Sequence, residues 1–388
     1  MERFDLTSPP HTAHRARLAT IATAALGLAL SSHAWSAEQR TISNNGETVR
    51  IDAPTVAQQR ISGTPNPFST TAQRAAVRPL VWDTSARNPA PAPTPGKPTT
   101  ARPEGTTGGI APSFGDYMAR KSFPEAWKTV DETAAQERAS RSAKPDASTM
   151  DGPHYGWTRF LGNYYTSQWT VPPWNKIGKL YFNVPGGGSS YCTASVASGN
   201  SVILTAAHCV YSRGLGWNYN FVFVPADRYG AAPYGSYGYQ SATILTDWIN
   251  IGGRQHDVAA IKLTNEVSTG IPVVNYVGWL GRSWDWPYEQ WTYSHGYASN
   301  FSTQYTNVCA GWTFYAPSEG NDVLVQGCDM TYGSSGGPWL REFTHNSHAG
   351  NSVNSVVSGP HIGAFGTYYV GARFSSSNIV PICNAIGC

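Results

Sequence analysis

Three short segments of this 388-residue chain hold side chains that could carry out acyl-transfer chemistry together. The first, Leu204-Thr205-Ala206-Ala207-His208-Cys209, runs from an apolar stretch into small residues and then a histidine. Small neighbours let an imidazole sit at a seam between structural units without crowding, and a disulfide at the next residue would hold it there. The second, His256-Asp257-Val258-Ala259-Ala260-Ile261-Lys262-Leu263, sets an acid immediately before an apolar strand. A carboxylate in that place can accept the proton of one imidazole nitrogen and fix the tautomer, leaving the other nitrogen to act as base. In an extended segment His256 would face away from Asp257, so it reads as a surface or interface histidine. The third, Gly333-Ser334-Ser335-Gly336-Gly337-Pro338, offers a hydroxyl nucleophile among glycines. Hydroxyl attack on a carbonyl needs backbone N–H donors aimed at the developing oxyanion, and glycine lets the chain bend tightly enough to supply them. The N–H groups of Gly333 and Ser335 are the candidates. Each segment has a bland reading by itself: a structural histidine, a turn aspartate and a Gly/Ser loop. Taken together they point to His208 as general base, Asp257 as its orienting acid and Ser335 as nucleophile.

The elements that must position these residues read as strands. Gly178–Asn183, Ser190–Ala197, Ser201–Thr205, Tyr219–Val224, Ser241–Leu245, Val258–Leu263, Val323–Gln326, Ser352–Val357 and His361–Phe365 are short, β-branched or aromatic, and separated by Gly- or Asn-rich breaks. Many short strands without a fixed-period repeat predict an all-β sandwich or pair of barrels rather than a propeller or solenoid. Trp279, Trp284, Trp286 and Trp291 cluster with Tyr288 and Tyr293, a group that packs a loop onto a barrel more readily than it forms a binding face.

The earlier part of the chain differs. Arg15 and Arg17 precede the apolar run Leu18–Leu30, which ends in the small-residue pattern Ser31-Ser32-His33-Ala34. That arrangement predicts a signal peptide over 1–34 and a secreted protein without stable membrane association after cleavage. Residues 35–150 are rich in Ala, Thr, Pro and Arg, with a Pro-rich stretch over 88–103, and lack the apolar content for a core of their own. They read as a largely disordered pro-segment or linker, with a helix between Ser122 and Ser142 that carries Trp127, Val130 and Ala135 on one side. Arg138, Arg141 and Lys144 are candidate processing points. The catalytic domain is expected over 151–388. A net charge of +3 with 13% charged residues argues against a nucleic-acid groove, and a monomer is expected.

Six cysteines, Cys192, Cys209, Cys309, Cys328, Cys383 and Cys388, all lie in the later part of the chain, as an exported disulfide-bonded domain would have them. Cys192 with Cys209 would tie two strands flanking a hairpin; Cys309 with Cys328 and Cys383 with Cys388 follow by proximity. His208-Cys209 lacks the second paired element of a zinc site, so no metal or organic cofactor is expected.

Thr205–Cys209 (TAAHC), Asp257–Leu263 (DVAAIKL) and Gly333–Pro338 (GSSGGP) resemble the three signatures of the trypsin/chymotrypsin superfamily of serine endopeptidases, over roughly 155–388. Gly327–Thr331 and the Cys192–Ser195 approach are most similar to the bacterial glutamyl-endopeptidase branch. The resemblance implies a double six-stranded antiparallel β-barrel and a secreted endopeptidase acting on protein or peptide substrates through a covalent acyl-enzyme. It also implies a substrate pocket near Asp329 and a strand edge, Val356–Gly359 with Ser358 and Gly359, that pairs with substrate backbone. Asp329 reads equally as a pocket anion for basic side chains or as a structural aspartate; His361 is the candidate base of a pocket for acidic ones. Ser334 departs from the pattern. Trypsin-like zymogens carry there an aspartate that pairs with the freed N-terminal ammonium, so removal of the pro-segment would act by relief of blocking or by assisting folding. The rival functions are a catalytically silent binding protein of the same fold and an esterase.

Overall fold

The computed structural model describes residues 42–54, 66–81, 105–140, 157–161, 168–361 and 368–388. The signal-peptide reading, the Pro-rich stretch, Arg141 and Lys144 fall outside these residues.

Six strands close the first barrel: β1 (Ile177–Asn183), β2 (Ser189–Ser198), β3 (Val202–Thr205), β4 (Tyr219–Pro225), β5 (Tyr237–Leu245) and β6 (Ala259–Leu263). Each pairs antiparallel with its neighbours in the cyclic order β1-β2-β3-β6-β5-β4, and the ring shuts where Val222 of β4 meets Tyr181 of β1. The second barrel repeats the plan with β7 (Trp291–Gly296), β8 (Asn307–Phe314), β9 (Val323–Gly327), β10 (Pro338–Arg341), β11 (Ser352–Pro360) and β12 (Tyr368–Arg373). Its order is β7-β8-β9-β12-β11-β10, closed where Tyr293 faces Leu340. The fold is therefore two closed six-stranded antiparallel β-barrels. Closure leaves no open edge within either ring.

Alternation along the strands explains why both faces read as apolar. Phe221 and Phe223 of β4, Ile203 of β3 and Ile261 of β6 point into the first barrel. Their neighbours Val202, Leu204, Val258 and Ala260 turn to the seam, where they meet Leu340, Val353 and Val356 of the second barrel and Ile379, Ile382 and Ile386 of the C-terminal helix. The second barrel is more polar inside. Gln326 donates to the Thr292 and Gly311 carbonyls, and the Ser294 hydroxyl bonds its side-chain oxygen. That polarity weakens the sequence signal of β7 and β8 relative to the first barrel's strands, and β10 and β12 are likewise absent from the strands expected from the sequence. β11 runs on to Pro360, and His361 lies beyond its end, with 362–365 outside the described residues.

Parts of residues 35–150 belong to the folded unit. A hairpin of Ile42–Asn44 and Thr48–Asp52 adds to β5, setting Ile51 opposite Ala242. Arg78–Pro79 pairs parallel with Ser190 and Tyr191 of β2. Gly105–Thr107 pairs with Gly281–Trp284, which in turn joins β11. Composition measures whether a segment can build its own core; here Phe68, Val49 and Ile51 are lent to the first barrel instead. The helix occupies Pro124–Ser140, with Trp127 and Val130 buried, but Ala135 is exposed, as are its neighbours Asp131, Glu132 and Gln136. Among the tryptophans, Trp279 and Trp284 pack on the cores, Arg341 covers Trp286 at 3.1 Å, and Trp291 stays 38% exposed against Trp312. No helix among the described residues is long and apolar enough to cross a membrane.

Candidate active site

β3 delivers His208 in a single 3-10 turn, Ala207–Cys209, and the Cys192–Cys209 disulfide ties that turn back to β2. Asp257 comes from the turn that opens β6, which pairs with β3, so the two residues arrive side by side. Asp257 holds His208 twice: Oδ1 accepts from the His208 backbone N–H at 2.9 Å, and Oδ2 lies 2.8 Å from Nδ1. A third donor, the Ser358 hydroxyl of β11, reaches Oδ2 at 2.5 Å. Burial pushes the Asp257 carboxyl up, but the adjoining His208 and the hydrogen bonds from His208 and Ser358 outweigh it and hold the group below the ordinary carboxylate value. With Nδ1 committed to Asp257, Nε2 is the ring nitrogen left for proton transfer. It is buried and has no hydrogen-bond partner among the described residues.

Ser335 sits in the turn before β10. Gly337 N–H donates to the Ser334 carbonyl at 2.9 Å, and Gly336 in the third position has φ +75°. A β-turn of this kind needs a residue tolerant of positive φ there, which is the glycine requirement read from the sequence. A side chain at Gly336 would also stand 2.0 Å from Thr205 Oγ1 and 2.8 Å from the Ala206 nitrogen. The turn that bears Ser335 therefore packs directly on the segment leading to His208. Gly333 has φ +89°, and a Cβ there would meet the Tyr297 carbonyl at 2.4 Å. Ser334, fully buried, donates its hydroxyl to the nearby Thr331 carbonyl at 2.7 Å.

The remaining candidates spread around this centre. Ser358 serves Asp257 through its side chain, while a Cβ on Gly359 would strike Arg254 at 2.3 Å. Arg254 donates to the Pro360 carbonyl at 3.0 Å and so lies across this strand edge, a neighbour that the sequence reading missed. Asp329 is half-buried, its carbonyl accepting from Asn300 at 2.7 Å. His361 Nε2 lies 3.9 Å from the buried Glu319. His256 stands apart from the centre, with Nδ1 2.6 Å from the Gly252 carbonyl. A cleft beside His208 and Asp257 is lined by Val184, Trp248 and Arg254 and, from the N-terminal segment, by Leu80 and Val81. The other disulfides join Cys309 to Cys328 and Cys383 to Cys388. Near His208 the sulfurs of Cys192 and Cys209 are bonded to each other and offer no thiolate to a metal.

Residues 192–344, which contain His208, Asp257 and Ser335, match the family model of the trypsin-like peptidase domain. An extracellular metalloprotease of Bacillus subtilis is 33% identical over 116 residues, 30% of this chain and 35% of that protein. The chain thus spans about a third of the length of that curated relative. Among solved structures, the protease Anisep from Arthrobacter nicotinovorans is 28% identical, with 55% of this chain and 95% of that one covered at a TM-score of 0.49. A Glu endopeptidase is 22% identical, with 59% and 95% covered at a TM-score of 0.45. Over residues 177–373 the closed strand pairing itself fixes the architecture.

Proposed function

We propose that the chain is a secreted serine endopeptidase that hydrolyses peptide bonds through Ser335, His208 and Asp257. Ser335 Oγ attacks the scissile carbonyl and gives its proton to His208 Nε2, which passes it to the departing amine. The acyl group stays on Ser335 until a water molecule, deprotonated by His208, releases it. The observation carrying this reading is the double engagement of His208 by Asp257 beside the turn that bears Ser335. A binding protein has no chemical need for an imidazole held in one tautomer against a buried carboxylate. Preference for basic or acidic residues before the cut stays tied to Asp329 and His361 respectively.

The segment through Leu80 and Val81 acts as a blocking pro-segment in this reading. Support comes from its strand on β2, from the Leu80 N–H donating to the Tyr191 carbonyl at 3.0 Å, and from its place in the cleft with His208. Phe68, fully buried, and Arg74, which donates to the Gly230 and Phe68 carbonyls at 2.8 Å, anchor it. The test is to react precursor and processed chains with matched peptide amide and ester substrates. Amide cleavage that rises on processing supports both parts; ester-only turnover favours the esterase, and equal activity of the two forms on the small ester counts against blocking.

A further inference from the structure

The oxyanion loop lacks the aspartate whose ion pair orders it in trypsin-like zymogens, so its order must come from elsewhere. In a trans peptide the C=O and N–H point in opposite directions, so anchoring a carbonyl aims the N–H of the following residue. Four successive carbonyls of this loop are anchored. Tyr332 O accepts from Ser299 N–H at 2.8 Å, which turns the Gly333 N–H the other way. Ser334 O accepts from Gly337 N–H at 2.9 Å, which does the same for the Ser335 N–H. Between and after them, Gly333 O accepts from the Thr193 hydroxyl at 2.7 Å, and Ser335 O accepts from the Thr193 backbone N–H at 2.8 Å. One residue of β2 thus clamps the two peptides that alternate with the donor peptides, Gly333–Ser334 and Ser335–Gly336.

Thr193 is itself fixed. It is fully buried; its hydroxyl accepts from Tyr297 N–H at 3.0 Å, and its carbonyl accepts from the Thr205 hydroxyl at 2.9 Å. Thr205 belongs to the strand that delivers His208, so the clamp links the base's strand to the nucleophile's loop. Of the four anchors, only the one on Gly333 is a side chain. The arrangement uses hydroxyl and peptide groups alone, in place of an ion pair made by a new N-terminus.

We propose that Thr193 is the positioning residue of the oxyanion hole: its hydroxyl fixes the Gly333–Ser334 peptide, which lies between the two donor peptides, and so holds the Gly333 and Ser335 N–H groups in the relative orientation that faces one tetrahedral intermediate. The proposal rests on the endopeptidase reading. Its test compares Thr193→Val, Thr193→Ala and Thr193→Ser in the processed protein, using kcat and KM on a peptide amide and affinity for a peptide boronic acid. The boronate adduct on Ser335 presents an anionic oxygen to the hole. Deleting an oxyanion donor outright costs roughly 100- to 1,000-fold in kcat, so loosening the donors' support should cost roughly 10- to 100-fold. That loss is expected in the Val and Ala variants, with KM within about two-fold and boronate affinity falling by the same factor as kcat, the signature of an interaction made in the transition state. Thr193→Ser should recover kcat to within about three-fold, because it retains the hydroxyl. Equal kcat in the Ser and Ala variants would overturn the proposal even if the Val variant failed to fold. A loss carried by KM with unchanged boronate affinity would do the same. Ser335→Ala, assayed alongside, separates the two levels: cleavage surviving in that variant strikes the endopeptidase reading rather than the role of Thr193.

Discussion

Removing the Ser358 hydroxyl tests how the Asp257 carboxylate is held. Asp257 is 1% exposed, and Ser358 is its third donor, 2.5 Å from the same oxygen that faces His208 Nδ1. A hydrogen bond to a charged group contributes about 1.5–3 kcal/mol, so Ser358→Ala should destabilise the protein by about that much at neutral pH. The same loss raises the Asp257 carboxyl, because one of the hydrogen bonds that hold it down is gone. The sign of the pH dependence follows. A carboxyl held below its unfolded value contributes stability that is present above that value, 3.8, and lost as pH falls through the folded value. The gap between wild type and variant should therefore be full at pH 7 and shrink as the solution is taken down through the carboxylate range. Activity should fall much less than the roughly 10,000-fold typical of neutralising such a carboxylate, because both contacts from His208 remain. Urea unfolding at a series of pH values, with kcat measured at pH 7, provides the assay. A gap independent of pH would show that Ser358 acts through packing, and no gap at pH 7 would refute the reasoning.

Two buried bases give further expectations. His295 is fully buried among Trp174 and Phe343, neither ring nitrogen has a hydrogen-bond partner among the described residues, and burial pushes its pKa down to about 3. Between pH 6.5 and that value the unfolded chain takes a proton that the native one refuses, so stability falls as pH falls, by up to about 5 kcal/mol. His295→Phe should flatten this part of the stability profile, which thermal unfolding from pH 7 to 4 would show; an unchanged slope contradicts it. Lys176, also fully buried, donates to the Ile110 and Trp279 carbonyls, and burial lowers it to about 7. Stability should rise with pH between about 7 and 10.5 from this group, so Lys176→Met should gain on wild type as pH is lowered across that window, checked by denaturant unfolding at pH 7 and 9.

The candidate site was more legible than the scaffold around it. His208, Asp257 and Ser335 stood out as candidates because acyl transfer would restrict the residue types beside each of them: small residues before the histidine, an acid at a strand start, glycines around the serine. First-barrel strands such as Ile177–Asn183 and Val202–Thr205 were readable because both faces are buried. Second-barrel strands such as Trp291–Gly296 were hidden by interior Ser, Thr and Gln groups that satisfy one another. Phe68 and Arg74 could not be placed from composition, since the residues that receive them, Tyr181 and Gly230, lie more than a hundred positions further along the chain. Thr193 looked like an ordinary β-branched strand residue, because nothing local shows which distant carbonyl its hydroxyl meets. Ser358 was read through its backbone, whereas its side chain serves Asp257.

Digestion of a mixed peptide library by the processed protein, with Ser335→Ala beside it and mass spectrometry of the products, tests the central claim most directly. The account predicts internal cleavage of peptides by the wild-type chain and its complete loss in the variant. Cleavage that persists in Ser335→Ala, or none from a correctly processed and disulfide-bonded wild-type sample, would contradict it.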